Sequence, residues 1–387
     1  MNYKFWTLVF SVGISGLSQG MLLPVIAIII EGDGISSTLN GMHATALYFG
    51  VLLISPFLEK PMRKYGYKPI IVIGGFIVLA ALLCFPLWKS LYFWFGLRLL
   101  VGIGDHMLHF GTQTWITSSE QPHKLGKKLS IYGLSFGVGF MVGPLLANLL
   151  EIHMSLPFIV SGAISIIAWA LILLLKNEKP APLENTNENS QISRYKNVFI
   201  LGWACLVAPF GYGILEASIN SSFPVYAIRM GYSVDEISVL IPAVSLGGII
   251  TQFPLGSLAD RIGGKKVVPF VILLGSGLFF VTSFFEDHYY LLWVSLLLVG
   301  MVIGSIFSLG LKYMSEILPY ELLPTSNMLF GVFFSIGSIL GPIIGGNIIE
   351  NFKGISFFTV QGSIFLGCAL LIISFEYRNS KAKKLLT

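Results

Sequence analysis

Apolar stretches long enough to cross a bilayer recur along almost the whole of this 387-residue chain, and they decide what it can fold into. Twelve can be delimited, at about 5–30, 41–59, 69–88, 91–117, 129–150, 155–176, 198–226, 236–258, 267–285, 289–313, 325–349 and 354–376. A bilayer core is spanned by about 20 apolar residues of helix. Backbone N–H and C=O groups find no water there, so segments of this length must bond internally as helices. Only 11% of the residues are charged, against about 25% in a typical soluble domain. The chain reads as an all-α, polytopic membrane protein. Its first segment is too long for the apolar core of a signal peptide, and no small-residue cleavage site follows it.

The connections are mostly short and asymmetric in charge. With the N-terminus placed inside, Lys89, Arg229 and Lys353 of the 24 Lys and Arg residues fall outside and Arg98 lies within a span. The other 20 then lie inside. The positive-inside rule therefore puts both termini in the cytoplasm and asks for an even number of spans. Basic residues confined to short loops do not indicate nucleic-acid binding. Cys84, Cys205 and Cys368 all lie in apolar segments, which suggests neither a disulfide framework nor a zinc site.

One connection differs from the others. Residues 177–197 (NEKPAPLENTNENSQISRYKN) are polar and carry two prolines, the composition of a flexible linker. They divide the chain into six-span halves, 1–176 and 198–387, and the halves repeat each other. GSLADRIGGKK (256–266) aligns with EKPMRKYGYK (59–68), Gly263 on Gly66, at an offset of 197. LVG at 298–300 matches LVG at 100–102, and GSILGPIIGG (337–346) matches GFMVGPLLAN (139–148), both at 198. Ser315-Glu316 matches Ser119-Glu120 at 196. Two parallel six-helix repeats form an arrangement known among transporters.

The fourth segment carries the chemistry. Within RLLVGIGDHMLH (98–109) stand Arg98, Asp105, His106 and His109. A charge near the bilayer centre costs about 2.5–3.5 kcal/mol on insertion scales and is turned toward protein or a water-filled cavity. On a helix, Arg98, Asp105 and His109 fall at i, i+7 and i+11, on one face with Gly102. Arg98 and Asp105 stand roughly 10 Å apart along the axis. They either pair along the helix or find partners on other spans, as a structural ion pair or as a transport site. His106 and His109 form H-x-x-H without a third ligand, so helix packing is the expectation for His106 and a cavity position for His109. Glu216 is the other deep acid, with Tyr212 and Asn220 at i−4 and i+4. Gln19 of the first span is a weaker cavity candidate.

At this point the chain resembles a known family, the major facilitator superfamily, over its whole length. Gly256, Asp260, Arg261, Gly263 and Lys265, followed by Lys266, resemble the loop signature G-x-L-a-D-R-x-G-R/K-K/R, which in that family helps latch the two halves. The first-half copy departs from it, with Glu59 in the position of the first Gly and Arg63 in that of the Asp. Arg98-Leu-Leu-Val-Gly102-Ile-Gly104 resembles the fourth-span signature R-x-x-Q-G-x-G, which would place proton handling on Arg98. Gly139, Gly143 and Pro144 resemble the fifth-span pattern G-x-x-x-G-P of exporters, and Gly337, Gly341 and Pro342 repeat it in the eleventh span. Glycines spaced by four also let helices pack closely, and proline bends a helix, so packing and hinging are the plain reading of both. Glu120 and Glu316 close the fourth span of each half and read as gate residues together with Asp260 and Arg261.

The resemblance implies twelve transmembrane helices in two pseudo-symmetric bundles around a central cavity, lined in part by the seventh span. It is strongest to the twelve-span drug/proton antiporters. The expected function is secondary transport by alternating access, driven by the proton gradient with no cofactor or metal, and acting on a small-molecule substrate as a monomer in the bilayer. Export of amphipathic compounds is the first expectation. A specific uptake carrier for a metabolite or anion, centred on Arg98, is the alternative. No Walker-type phosphate loop supports an ATP-driven pump, and no catalytic dyad supports an enzyme.

Overall fold

The computed structural model describes residues 3–119, 122–179, 191–318, 323–352 and 354–386, and no strand occurs among them. The helices are α1 (Tyr3–Gly32), α2 (Ser37–Ala44), α3 (Ala46–Ile54), α4 (Glu59–Tyr65), α5 (Tyr67–Cys84), α6 (Leu91–Ser119), α7 (Pro122–Val142) and α8 (Leu156–Leu173). The second half contributes α9 (Gln191–Arg229), α10 (Val234–Ile262), α11 (Gly264–Thr282), α12 (Tyr289–Ile303), α13 (Ile306–Ile317), α14 (Leu323–Asn351) and α15 (Phe357–Leu386).

Ten stretches among the described residues are long and apolar enough to cross a membrane. The remaining two expected segments depart for identifiable reasons. Residues 41–59 are interrupted at Thr45, whose hydroxyl donates to the Met42 carbonyl at 2.6 Å, and again by the 3-10 turn Ser55–Phe57 around Pro56. Helix α6 is long enough at 29 residues, but its polar stripe dilutes its apolar content. Helices α12 and α13 are two parts of one span, Tyr289–Ile317.

The chain divides into two compact units, Met1–Asn185 with Asn220–Pro242, and Thr186–Ile219 with Ala243–Thr387. In the first unit α1 packs on α7 and α8, α5 on α6 and α8, and α3 on α6. In the second, α11 packs on α15, α12 and α13. Small residues allow these helices to approach at the backbone. A Cβ on Gly102 of α6 would collide with the Leu47 carbonyl of α3, and one on Gly300 of α12 with the Val244 carbonyl of α10. Likewise Gly139 of α7 abuts the Gly13 carbonyl of α1, and Gly337 of α14 abuts the Phe210 carbonyl of α9. Residue by residue, each first-unit contact maps onto its second-unit twin with a shift of 197 or 198, the shift that aligns the sequences. Gly102 thus faces α3, while the polar stripe beside it turns to α1.

The two Gly-Pro patterns are used differently. Pro144 offers no N–H to the Phe140 carbonyl, and α7 ends at Val142 and continues as the 3-10 segment Gly143–Glu151. Helix α14 stays α-helical through Pro342. Gly143 lies against Leu17, Gly20 and Met21 of α1, and Gly341 lies against Ile214 and Ser218 of α9.

Candidate functional site

A buried hydrogen-bond cluster joins α1, α6 and α7. Asp105 of α6 is 5% exposed, and its two carboxylate oxygens are engaged separately. Ser15 donates to one and the Gln19 amide to the other. His109, one turn further along α6, stands 3.6 Å from Asp105 and makes a 3.0 Å hydrogen bond between its Nε2 and the Ser15 hydroxyl. Its other ring nitrogen bonds the Tyr132 hydroxyl of α7 at 2.8 Å, and that hydroxyl lies 3.3 Å from Thr112. Phe136 packs edge-on against the imidazole and screens it on the α7 side. The result is a continuous polar chain from Gln19 through Asp105, Ser15, His109 and Tyr132 to Thr112. A buried carboxylate is thus held by the neutral hydroxyl and amide donors of Ser15 and Gln19, with an imidazole linked to it through the Ser15 hydroxyl.

Arg98 does not join this cluster. It is fully buried, with Nη1 bonding His43 Nδ1 at 3.0 Å and Nη2 donating to the Leu22 and Leu23 carbonyls at 3.3 and 3.2 Å. Those carbonyls precede Pro24, the proline inside α1. His43 is fixed in turn by the Leu91 carbonyl at 3.0 Å, and the Arg98 Nε has no hydrogen-bond partner among the described residues. Arg98 and Asp105 therefore face the same helix α1 two turns apart, and each takes its own partners. His106 points away, its Nε2 bonding the Ser55 hydroxyl at 3.0 Å.

Glu216 lies on α9 of the second unit, partly exposed, and accepts a hydrogen bond from Tyr212 one turn earlier. The Tyr212 ring packs against Phe307 and Phe334, both with centroids 6.1 Å away, and Phe330 closes on Phe307 at 4.9 Å. Asn220, a further turn along, is buried. This is an acid at the edge of an aromatic wall.

The loop signature folds within its own unit. Gly263 has φ +89°, the left-handed turn that glycine adopts without strain, and α11 begins at the next residue. Glu316, at the end of α13, accepts from the Gly264 and Lys265 backbone N–H groups at 2.9 and 3.3 Å, a carboxylate on a helix N-terminus. Lys312 bridges Glu316 at 3.9 Å and Asp260 at 3.1 Å. Arg261 is exposed, and Gly256 opens onto free space. In the first unit Gly66 makes the equivalent turn with φ +95°. There the N-terminus of α5 is capped by Asn177 and the Glu178 carbonyl, which accept from Lys68 and Tyr67 at 3.2 and 3.0 Å. Glu120 lies outside the described residues.

A pair of contacts at the same ends of the bundles escaped the sequence reading. Trp115 Nε1 donates to Glu178 at 2.7 Å, and Tyr313 Oη donates to Glu376 at 2.5 Å. Both members of the second contact sit 198 residues beyond those of the first, the repeat offset. Lys4 adds an ion pair to Glu178 at 2.9 Å. At the opposite end of α1, Glu31 pairs with Arg229 at 2.8 Å and Asp33 with Lys89 at 2.5 Å. No group of three or more His, Cys, Asp or Glu poised for a metal occurs among the described residues.

These features define a class, the helical membrane transporters built from two repeated bundles. The chain belongs to the Major Facilitator Superfamily, whose model matches residues 8–242 and 206–386. Its family and fold are those of membrane transporters, not enzymes. It is 49% identical over 359 residues to a protein of Bacillus subtilis (strain 168) described as "Uncharacterized MFS-type transporter YfkF", covering 92% of this chain and 91% of that protein. It is 26% identical to Multidrug resistance protein 1 of the same organism, covering 96% of each. Among solved structures, the nucleoside transporter NupG superposes with a TM-score of 0.75 at 14% identity, covering 97% of this chain and 99% of that one. A bacterial homolog of the human lysosomal transporter Spinster superposes with a TM-score of 0.70, also at 14% identity, covering 96% and 95%. Likeness at this identity speaks for the fold alone.

Proposed function

We propose that this transporter exports small amphipathic or hydrophobic compounds in exchange for protons, by alternating access. It works as a monomer in the plasma membrane, with both termini in the cytoplasm and the proton gradient in place of a cofactor. The observation that carries the reading is the Asp105 carboxylate, buried between α1 and α6 with Ser15, Gln19 and His109, and paired with no lysine or arginine among the described residues. An intramembrane acid so placed is a candidate proton carrier by the cost of burying it charged. Glu216 and the rings of Tyr212, Phe307 and Phe334 suit a lipophilic cation, which a carboxylate and aromatic faces both attract. The kinkable Gly-Pro segments Gly143-Pro144 and Gly341-Pro342, and the 26% identity to a multidrug resistance protein, agree with export.

A specific carrier for a metabolite or anion is the second reading, favoured by the unsatisfied Arg98 Nε. The test uses everted vesicles containing the protein, energised to an acid interior. Lipophilic cations are added first, then metabolites and anions. Collapse of the pH gradient by the cations, and its loss in Glu216→Gln, supports proton-coupled export. A response to one metabolite or anion alone, abolished in Arg98 variants, overturns it for the second reading.

A further inference from the structure

The first unit carries an apolar groove that the transport site does not use. Helices α4 and α5 meet at the left-handed turn of Gly66, and the wedge between them remains open. The groove has a volume of about 560 Å³, within the range of about 300–1,000 Å³ usual for small-ligand sites. Its walls are Phe57, Pro61, Tyr65, Ile70 and Ile73, with Met107 of α6 at the base. Phe57 is 65% exposed and Ile73 50% exposed, so the groove opens at the surface.

Two lysines of α4 neighbour its lining residues. Lys60 and Lys64 flank the lining residues Pro61 and Tyr65 on α4, and both are exposed. Lys64 Nζ lies 5.1 Å over the Tyr65 ring, which holds the ammonium at the mouth of the groove. Lys68 is engaged elsewhere, donating to the Leu173 carbonyl at 2.7 Å. Apolar walls beside two lysines next to the start of a membrane helix are complementary to a lipid with an anionic headgroup. Basic clusters beside a membrane helix attract anionic lipid by about 1 kcal/mol per residue, roughly fivefold in occupancy.

We infer that this groove is a binding site for one anionic phospholipid. The acyl chain lies between Phe57, Pro61 and Ile73, and the phosphate is held by Lys60 and Lys64. The bound lipid would wedge the turn between α4 and α5, which carries the first-half copy of the loop signature.

The test is photolabelling of the full chain in vesicles. The probe is phosphatidylglycerol with a diazirine midway along one acyl chain, compared with the phosphatidylcholine of the same chain. Cross-linked peptides are mapped by mass spectrometry. Phosphatidylglycerol is expected to label 57–73 several-fold more than phosphatidylcholine. Labelling should fall roughly fivefold per lysine removed in Lys60→Gln and Lys64→Gln, and be lost in Ile73→Trp, which fills the groove. In the unaltered protein, raised salt should reduce labelling by phosphatidylglycerol only, a comparison that needs no variant to fold. Equal labelling by both lipids, insensitive to salt and to the lysines, identifies ordinary boundary lipid and overturns the inference.

Discussion

The twin contacts at the bundle ends make a sharp energetic claim, and Tyr313→Phe tests it with the loss of one oxygen atom. Tyr313 is fully buried and its hydroxyl donates to Glu376 at 2.5 Å. A hydrogen bond to a charged group is worth about 1.5–3 kcal/mol. Glu376 is only partly buried, so water can replace part of the lost bond in the variant and the lower end applies, about 1.5 kcal/mol. Glu376→Ala instead strands a buried hydroxyl, at about 1–3 kcal/mol. The double variant should cost little more than either single change, giving a coupling of at least about 1 kcal/mol. Denaturant unfolding in detergent measures all three, and 1.4 kcal/mol is a tenfold change in equilibrium constant. Lys4→Ala in the first unit is the control, because its exposed pair with Glu178 is expected to be worth only about 0.2–1 kcal/mol. A coupling near zero, or a Lys4→Ala cost equal to that of Tyr313→Phe, would refute the reasoning.

Three further outcomes are expected. Gly102→Val and Gly300→Val push side chains into the carbonyls of Leu47 and Val244, and each should cost about 1–3 kcal/mol by overpacking, seen as a lowered Tm. The two share no partner, so their costs should add. Arg98→Lys cannot reproduce the fork that engages His43 and two α1 carbonyls, and should lower stability by at least about 1.5 kcal/mol, measured by unfolding in detergent. Glu316→Ala uncaps α11 and should cost about 0.5–2 kcal/mol, with Glu316→Gln milder because it keeps an acceptor, both read from thermal unfolding.

What could be read from the sequence was set by how strongly each residue violates its surroundings. Helices follow from apolar length, and the repeat from matched glycines that the structure places at equivalent backbone contacts. Asp105, His109 and Arg98 stand out because a charge in lipid is expensive. Their partners do not. A serine in a membrane helix usually bonds its own helix, as Ser11 does to the Thr7 carbonyl, and nothing local distinguishes Ser15, which reaches Asp105 instead. His43 and Tyr132 are unremarkable amphipathic residues until the helices pack. Glu178 reads as the start of a polar linker, although it is held by Trp115 and Lys4. Only its offset of 198 from Glu376 could have revealed it, and then only with Trp115 and Tyr313 aligned as well. The separate partners of Arg98 and Asp105 depend on α1 running antiparallel beside α6, with residues 22–23 at one level and 15–19 at another.

The central claim is that Asp105 carries the coupled proton, and the most direct measurement compares two modes of transport in Asp105→Asn. Vesicles are assayed for gradient-driven accumulation of a lipophilic cation and, without a gradient, for exchange of labelled against unlabelled cation. Loss of accumulation with exchange preserved is the predicted result, because the substrate still cycles while the proton has no carrier. Accumulation at the unaltered level in Asp105→Asn would contradict the account and move the proton to another residue.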